Sequence, residues 1–143
     1  MSTLAARAER AAAVAARHAD AVDREGRFPV EAVAAMKAER LLGLQIPGQL
    51  GGEGAGLVQI AELCSTLGQA CSAAAMTFAM HHIKVSSLVT HGLDSPWHGR
   101  LMERIAREQL LVASSTTEAG IGGDLRNSLC AVEINGEVFA LGK

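Results

Sequence analysis

The chain has 143 residues, about half of them apolar and 3% aromatic, with a formal charge of −2 spread over interspersed acidic and basic side chains. That length suits one ordinary domain with a real core built from Ala, Leu, Val, Ile and Met. The absence of a basic run speaks against nucleic acid as a partner, and the absence of an acidic tail speaks against disorder.

The first predicted helix covers residues 3–24, because Leu4, Ala8, Ala11, Ala15 and Val22 recur at helical spacing along one stripe, with Arg7, Arg10, Arg17 and Asp20 largely off it. Gly26 is placed to end it in a left-handed turn. A short helix is expected over residues 29–39, with Pro29 in its first turn, where a missing N–H costs nothing. Residues 41–47 are an apolar connector. The segment 48–56, with five glycines in nine residues, reads as a loop of structural character. A third helix is predicted over 57–67, stopping near Gly68. The fourth, over 72–90, is apolar on nearly every side and is predicted to be the buried central helix, ended by His91 and Gly92. Ser95 and Pro96 then supply an N-cap and a first-turn proline for a fifth helix. Trp97, Leu101 and Ile105 form its expected apolar face, and Arg100, Glu103, Arg104 and Arg107 its wet side.

At Leu110 the character of the chain changes. Residues 110–115 read as a strand running into a Gly-rich turn, and residues 130–141 read as strand, turn, strand. Asn135-Gly136 is a strong hairpin signal, with both residues expected at the centre of a turn that requires positive φ. An isolated hairpin is marginally stable, so these strands are expected to belong to a larger sheet in a longer protein. The predicted division is 1–109 for a helical domain and 110–143 for the opening of a β-domain. The fold class is mainly α, an up-down bundle of about five helices followed by those first strands.

Cys64, Cys71 and Cys130 form no CxxC pair, which points to a reducing compartment and away from a disulfide scaffold or zinc site. Cys64 and Cys71 are expected as small buried residues with no base to activate them. No signal peptide is evident, and His81, His82 and Lys84 interrupt the longest apolar run, which is shorter than the roughly 20 residues a membrane span needs. The expectation is a soluble cytoplasmic protein. Adjacent His81 and His82 point about 100° apart on a helix and cannot form the i, i+4 metal face. They read as core or interface histidines, one of which could face a substrate cavity. Met76 and Met80 read as core packing. His18 and His98 are expected at the surface. No metal ligand set and no catalytic residue is assigned.

Three stretches, in order, resemble the acyl-CoA dehydrogenase family. The first is Asp23-Arg24-Glu25-Gly26-Arg27-Phe28-Pro29 with the connector that ends in Ile46-Pro47. The second is Pro47 to Gly54, similar to the family's P-x-x-x-G-G-x-G loop. The third is Thr117-Glu118-Ala119-Gly120-Ile121-Gly122-Gly123-Asp124, similar to T-E-P-G-x-G-S-D, and Ile134-Asn135-Gly136 resembles the family's hairpin. The resemblance implies an N-terminal helical domain, a middle β-domain and a C-terminal helical bundle. It also implies FAD as cofactor and α,β-desaturation of an acyl-CoA thioester in fatty acid metabolism. A homo-oligomer passing electrons to an electron-transfer flavoprotein is implied as well. A C-terminal carboxylate would be the catalytic base, and it lies outside this chain.

By the same resemblance, Ser115, Thr116, Thr117 and Gly122 are the expected flavin-contacting residues and Gly123 the substrate-contacting position. Backbone groups held at a strand end suit the edge of a flavin ring, because they stabilise charge without reorganising. Glu118 and Asp124 are expected to accept backbone N–H groups and so fix the loop, with no role as catalytic acids. Three residues depart from the family pattern. Ala119 replaces its proline, Ser114 an aromatic residue and Gly123 the serine that helps hold the substrate. That last change keeps open a flavin-dependent monooxygenase of the same fold, and the lack of a catalytic base in this chain keeps open a non-catalytic helical interaction module.

Overall fold

The computed structural model describes residues 3–115, 118, 120, 127–130, 132–136 and 138–141. They include five α-helices: α1 (Leu4–Glu25), α2 (Val30–Ala38), α3 (Leu57–Ala70), α4 (Ser72–His91) and α5 (Pro96–Glu108). A single 3-10 turn occupies Gly48–Leu50, and two strands follow, β1 (Val132–Asn135) and β2 (Val138–Leu141). The chain is therefore mainly α, as its periodicities require. It divides into two compact units, Met1–Ala113 and Ser114–Lys143.

In the helical unit, α1 begins where the Thr3 hydroxyl accepts the Ala6 N–H at 3.2 Å and ends at left-handed Gly26, φ 59°. Its inner face is Ala8, Ala11, Ala12, Ala15 and Val22. Those short side chains let α2 and α3 pack closely against it. Helix α4 folds back on α3 after the single residue Cys71, whose extended backbone (φ −160°) breaks the helical path. Helix α3 runs through Gly68 to Ala70, past its expected end, because the chain direction changes only at Cys71. The main core joins α1, α2, α3 and α4 around Met36, Leu41, Leu42, Leu44, Leu67 and Phe78. A smaller cluster of Ile46, Val85, Met102, Ile105 and Ala106 seats α5.

Three expectations about packing fail. Helix α4 is not buried on all sides: it buries Ala74, Phe78, His81, His82 and Val85, while Met76 (63%), Met80 (39%) and Ile83 (56%) are exposed. Its apolar composition exceeds what the described residues cover. Trp97 is 61% exposed, and the inner face of α5 is Met102, Ile105 and Ala106, with Leu101 half-buried. Residues 110–115 form no strand, and among the described residues β1 and β2 pair only with each other.

The centre of the helical unit is irregular. Leu41, Leu42, Leu44 and Ile46 are fully buried in the connector between α2 and the glycine loop. Buried backbone outside a helix or sheet must find partners for every polar group. Here Leu42 N–H donates to Gln109 Oε1 at 3.0 Å, Leu44 O accepts Ala55 N–H at 2.8 Å, and Ile46 O accepts Gly54 N–H at 2.9 Å. The glycine loop lies so tightly on the connector that a Cβ at Gly52 would land on the Ile46 carbonyl. At Gly43 a Cβ would come within 2.9 Å of the Ala106 backbone on α5.

In the second unit β1 and β2 form an antiparallel hairpin with Val132 opposite Leu141 and Asn135 opposite Val138. The turn therefore lies one residue further on than expected. Asn135 stays in the strand, and only Gly136 of the pair has positive φ, at 65°. Val132, Ile134 and Val138 are all more than half exposed.

Candidate functional site

The segment expected from sequence to carry the site runs from Ser114 to Gly123, with Ser115 its first expected flavin contact. Ser115 is exposed. Thr116, Thr117, Gly122, Gly123 and Asp124 lie outside the described residues, so their placement carries no argument. What the structure shows is how the two limbs of the segment are held.

The exit limb is closed by Glu118. One carboxylate oxygen accepts the Ser128 hydroxyl at 2.7 Å; the other accepts the N–H groups of Leu129 at 2.7 Å and Cys130 at 3.1 Å. These are charge-assisted bonds to the hydroxyl and backbone N–H groups of the exit limb, the loop-fixing role expected of this residue. Gly120 turns the chain at φ 87°, with its nearest neighbour on that side, Leu129 Cδ1, at 3.7 Å.

The entry limb is held from α4. The Val112 N–H donates to His81 Nδ1 at 3.0 Å, and His81 Nε2 lies 2.7 Å from the Leu42 carbonyl oxygen. A carbonyl only accepts and an N–H only donates, so the ring is neutral with its hydrogen on Nε2. Burial pushes the His81 pKa down, which keeps it in that form. His82 packs edge-on against both Phe78 and His81. Its Nε2 lies 3.0 Å from the Leu41 carbonyl and its Nδ1 3.0 Å from the Gln45 side-chain amide. Desolvation, with the neighbouring His81 adding to it, lowers its pKa to about 3. A neutral ring donates to Leu41 from Nε2, so Nδ1 must accept, and Gln45 must present its NH2 there.

The histidine pair is thus a polar staple between α4 and the buried connector, a role sequence reasoning placed in the core without finding its partners. The available signal was two adjacent histidines in an apolar helix, in a chain whose apolar connector has a lone glutamine, Gln45. A buried polar side chain requires a partner, and irregular buried backbone supplies one.

Two grooves flank α4. One, of about 380 Å³, lies between α3 and α4 and is lined by Leu57, Ile60, Cys64, Ala79, His82 and Ile83 among others. The other, about 330 Å³, lies where α4 meets α5, beside Val112 and Ala113, with Lys84, His91 and His98 on its wall. His98, expected at the surface, is half-buried, and its Nδ1 has no hydrogen-bond partner among the described residues. Cys71 is buried as expected, and Cys64 is half-buried with its thiol pKa raised by desolvation. No helix among the described residues is long and apolar enough to cross a membrane.

Comparison with known proteins adds the following. A sequence profile described as acyl-CoA dehydrogenase, N-terminal domain, matches residues 3–107. L-evernosamine nitrososynthase of a Micromonospora species is 34% identical over 107 residues, which is 74% of this chain and 24% of that protein. The NADH-dependent acryloyl-CoA reductase of Anaerotignum propionicum is 30% identical over 106 residues, 74% of this chain and 27% of the reductase. A probable acyl-CoA dehydrogenase of Mycobacterium leprae is 24% identical over 124 residues, 87% of this chain and 32% of its own length. The chain thus spans 24–32% of the length of these curated relatives. No solved structure matches it.

Proposed function

The chain belongs to the acyl-CoA dehydrogenase family, and from that premise we propose that it forms the N-terminal helical domain, residues 1–109, and the opening of the β-domain of an FAD-dependent oxidoreductase acting on an acyl-CoA thioester. The observation that carries the reading is the segment from Val112 to Cys130. Its entry limb is tied to His81 and its exit limb is closed by Glu118. Between those ties lie the residues that match the family's flavin-contacting signature.

Ser115 is exposed, and Gly120 has no side chain to obstruct an approaching ligand, which supports a flat ring at this segment. Ser115, Thr116, Thr117 and Gly122 would hold the ring edge through backbone groups and hydroxyls. Bound FAD would supply the electron-transfer chemistry, and the protein would supply orientation and electrostatics. Glu118 keeps its carboxylate on backbone N–H groups and so is not free to act as the base. That base belongs to a part of the protein outside this chain. Gly123, at the position of the family's substrate-holding serine, removes one hydroxyl from the acyl-CoA side of the site. An electron-transfer flavoprotein as acceptor and a homo-oligomeric assembly accompany this reading.

Two observations favour a second reading. Gly123 lacks the substrate hydroxyl, and a relative matching at 34% identity is named L-evernosamine nitrososynthase. An oxygen-using flavoprotein that oxidises an amine is the alternative they support. Anaerobic titration of the full-length, flavin-loaded protein with a panel of acyl-CoAs separates the two. Bleaching of the visible flavin band is expected for the dehydrogenase. No bleaching by any acyl-CoA, together with oxygen-dependent amine oxidation under reduced flavin, moves the assignment to the second reading. Failure of the full-length protein to take up flavin at all overturns both.

A further inference from the structure

Several arginines of the helical unit are committed to carboxylates: Arg7 pairs with Glu53, Arg10 with Glu39 and Arg27 with Glu31. The groove of about 330 Å³ where α4 meets α5 is different. Lys84, Ser87 and His91 line it from α4 and His98 from α5, and no Asp or Glu stands on its wall among the described residues. Lys84, Ser87 and His91 follow at intervals of three and four residues, so one face of α4 presents all three. None of the four side chains makes an ion pair or a side-chain hydrogen bond among the described residues. Lys84 and His98 are half-buried, and His98 Nδ1 is shielded from solvent. A shielded ring nitrogen without a partner is costly, and an ammonium with no counter-charge attracts one. The rest of the wall is apolar, with Leu88 and Leu101 supplying its largest side chains. The groove thus combines one fixed positive charge and several hydrogen-bond donors with a short apolar trough. Its volume sits at the small end of the range for ligand clefts, about 300–1,000 Å³. A phosphate would call for an arginine fork or a nest of backbone N–H groups, and the wall has neither arginine nor apolar-free surface to offer it.

We propose that this groove is a binding site for a short aliphatic carboxylate. Its head group meets the Lys84 ammonium and the rings of His91 and His98, with the Ser87 hydroxyl as a further donor, and its tail lies against Leu88 and Leu101. The site belongs wholly to the helical unit. It assigns these residues no catalytic step and stands independently of the flavin reading.

The test titrates the full-length protein with butanoate, 1-butanol and inorganic phosphate, following the imidazole nitrogen shifts of His98 by NMR. Butanoate is expected to move those shifts saturably. 1-Butanol, with the same tail and no charge, and phosphate, with charge and no tail, are each expected to bind about tenfold more weakly or worse, the scale of a lost hydrogen bond to a charged group. Calorimetric titration then compares three variants. Lys84→Met keeps the apolar stem, removes the charge and should weaken butanoate binding roughly tenfold. His98→Phe keeps a ring in place, removes both nitrogens and should weaken it in the same direction. Lys37→Met, at an exposed position on α2, should leave it unchanged. Lys84 is only half-buried, so Lys84→Met remains informative even if His98→Phe fails to fold. No saturable shift with butanoate, equal affinity for butanoate and 1-butanol, phosphate binding as tightly as butanoate, or wild-type affinity in Lys84→Met overturns the proposal. Flavin uptake enters none of these readouts, so failure of the flavin reading is told apart from failure of this one.

Discussion

The buried connector and the C-terminal hairpin solve opposite problems. Leu41, Leu42, Leu44 and Ile46 run through the core without regular structure, so their apolar side chains are fully satisfied and their backbone polar groups need outside help. His81, His82, Gln109 and the glycine loop provide it. In the hairpin the backbone ladder is regular, but Val132, Ile134 and Val138 stay in solvent. Irregular backbone can sit in a core only where side chains are committed to it. A regular ladder forms readily but leaves its apolar faces wanting a surface.

The contrast is broken most severely at Leu42. Leu42→Ala empties a fully buried site and is expected to cost about 2–5 kcal/mol, read as a drop in unfolding free energy by urea titration. A cost under 1 kcal/mol would mean that the connector is not part of the core.

Acid comes next. The folded pKa of His82 is about 3, below its unfolded value of 6.5. The unfolded chain therefore takes the proton first. His82 contributes its stability fully above pH 6.5 and loses it as pH falls from 6.5 toward 3, and His81 acts in the same direction. Between pH 6.5 and 5, His82 alone should remove about 2 kcal/mol. Glu31, Glu39 and Glu108, held low by arginine partners, titrate below 4.5 and leave that window clean. Urea midpoints of the wild type and His82→Gln at pH 7 and pH 5 check this: the variant should show the flatter dependence.

Two smaller effects sharpen the other side of the comparison. Glu118→Gln trades a charged acceptor of three hydrogen bonds for a neutral one. It should cost about 1 kcal/mol locally, seen as faster amide exchange at Leu129 and Cys130 with the unfolding midpoint unchanged. Ile134→Ser, at a site 79% exposed, should change the stability of this chain by less than about 0.5 kcal/mol. If the hairpin is covered in the full-length protein, the same substitution should cost several times more there, and comparing the two decides whether the exposed strand face is an internal contact surface.

Much of this was legible in sequence. Gly26, Ser95 and Pro96 act locally through caps and fixed φ angles, so helix ends set by them could be read directly, whereas Thr3, expected inside the first helix, is its N-cap. The end of α3 could not, because Gly68 is compatible with a helix and Cys71, which breaks it, carries no local signal. The hairpin was visible, but its turn moved by one residue because cross-strand pairing placed Asn135 opposite Val138. In the candidate loop, Glu118 was readable as a backbone acceptor. His81 was not readable as the anchor of Val112, since the two lie 31 residues apart and nothing in either segment names the other.

The amino-acid sequence by itself determined the helices, the glycine connector, the hairpin and the family signature, all of which depend on neighbours within a few residues. Only the tertiary structure decided which face of α4 is wet and how the buried connector satisfies its carbonyls. It alone separated the two adjacent histidines, His82 bonded only to the connector and His81 to the connector and to Val112. Those outcomes depend on which distant backbone group arrives beside a side chain, and desolvation makes that arrival decisive by leaving a buried polar atom no water to turn to.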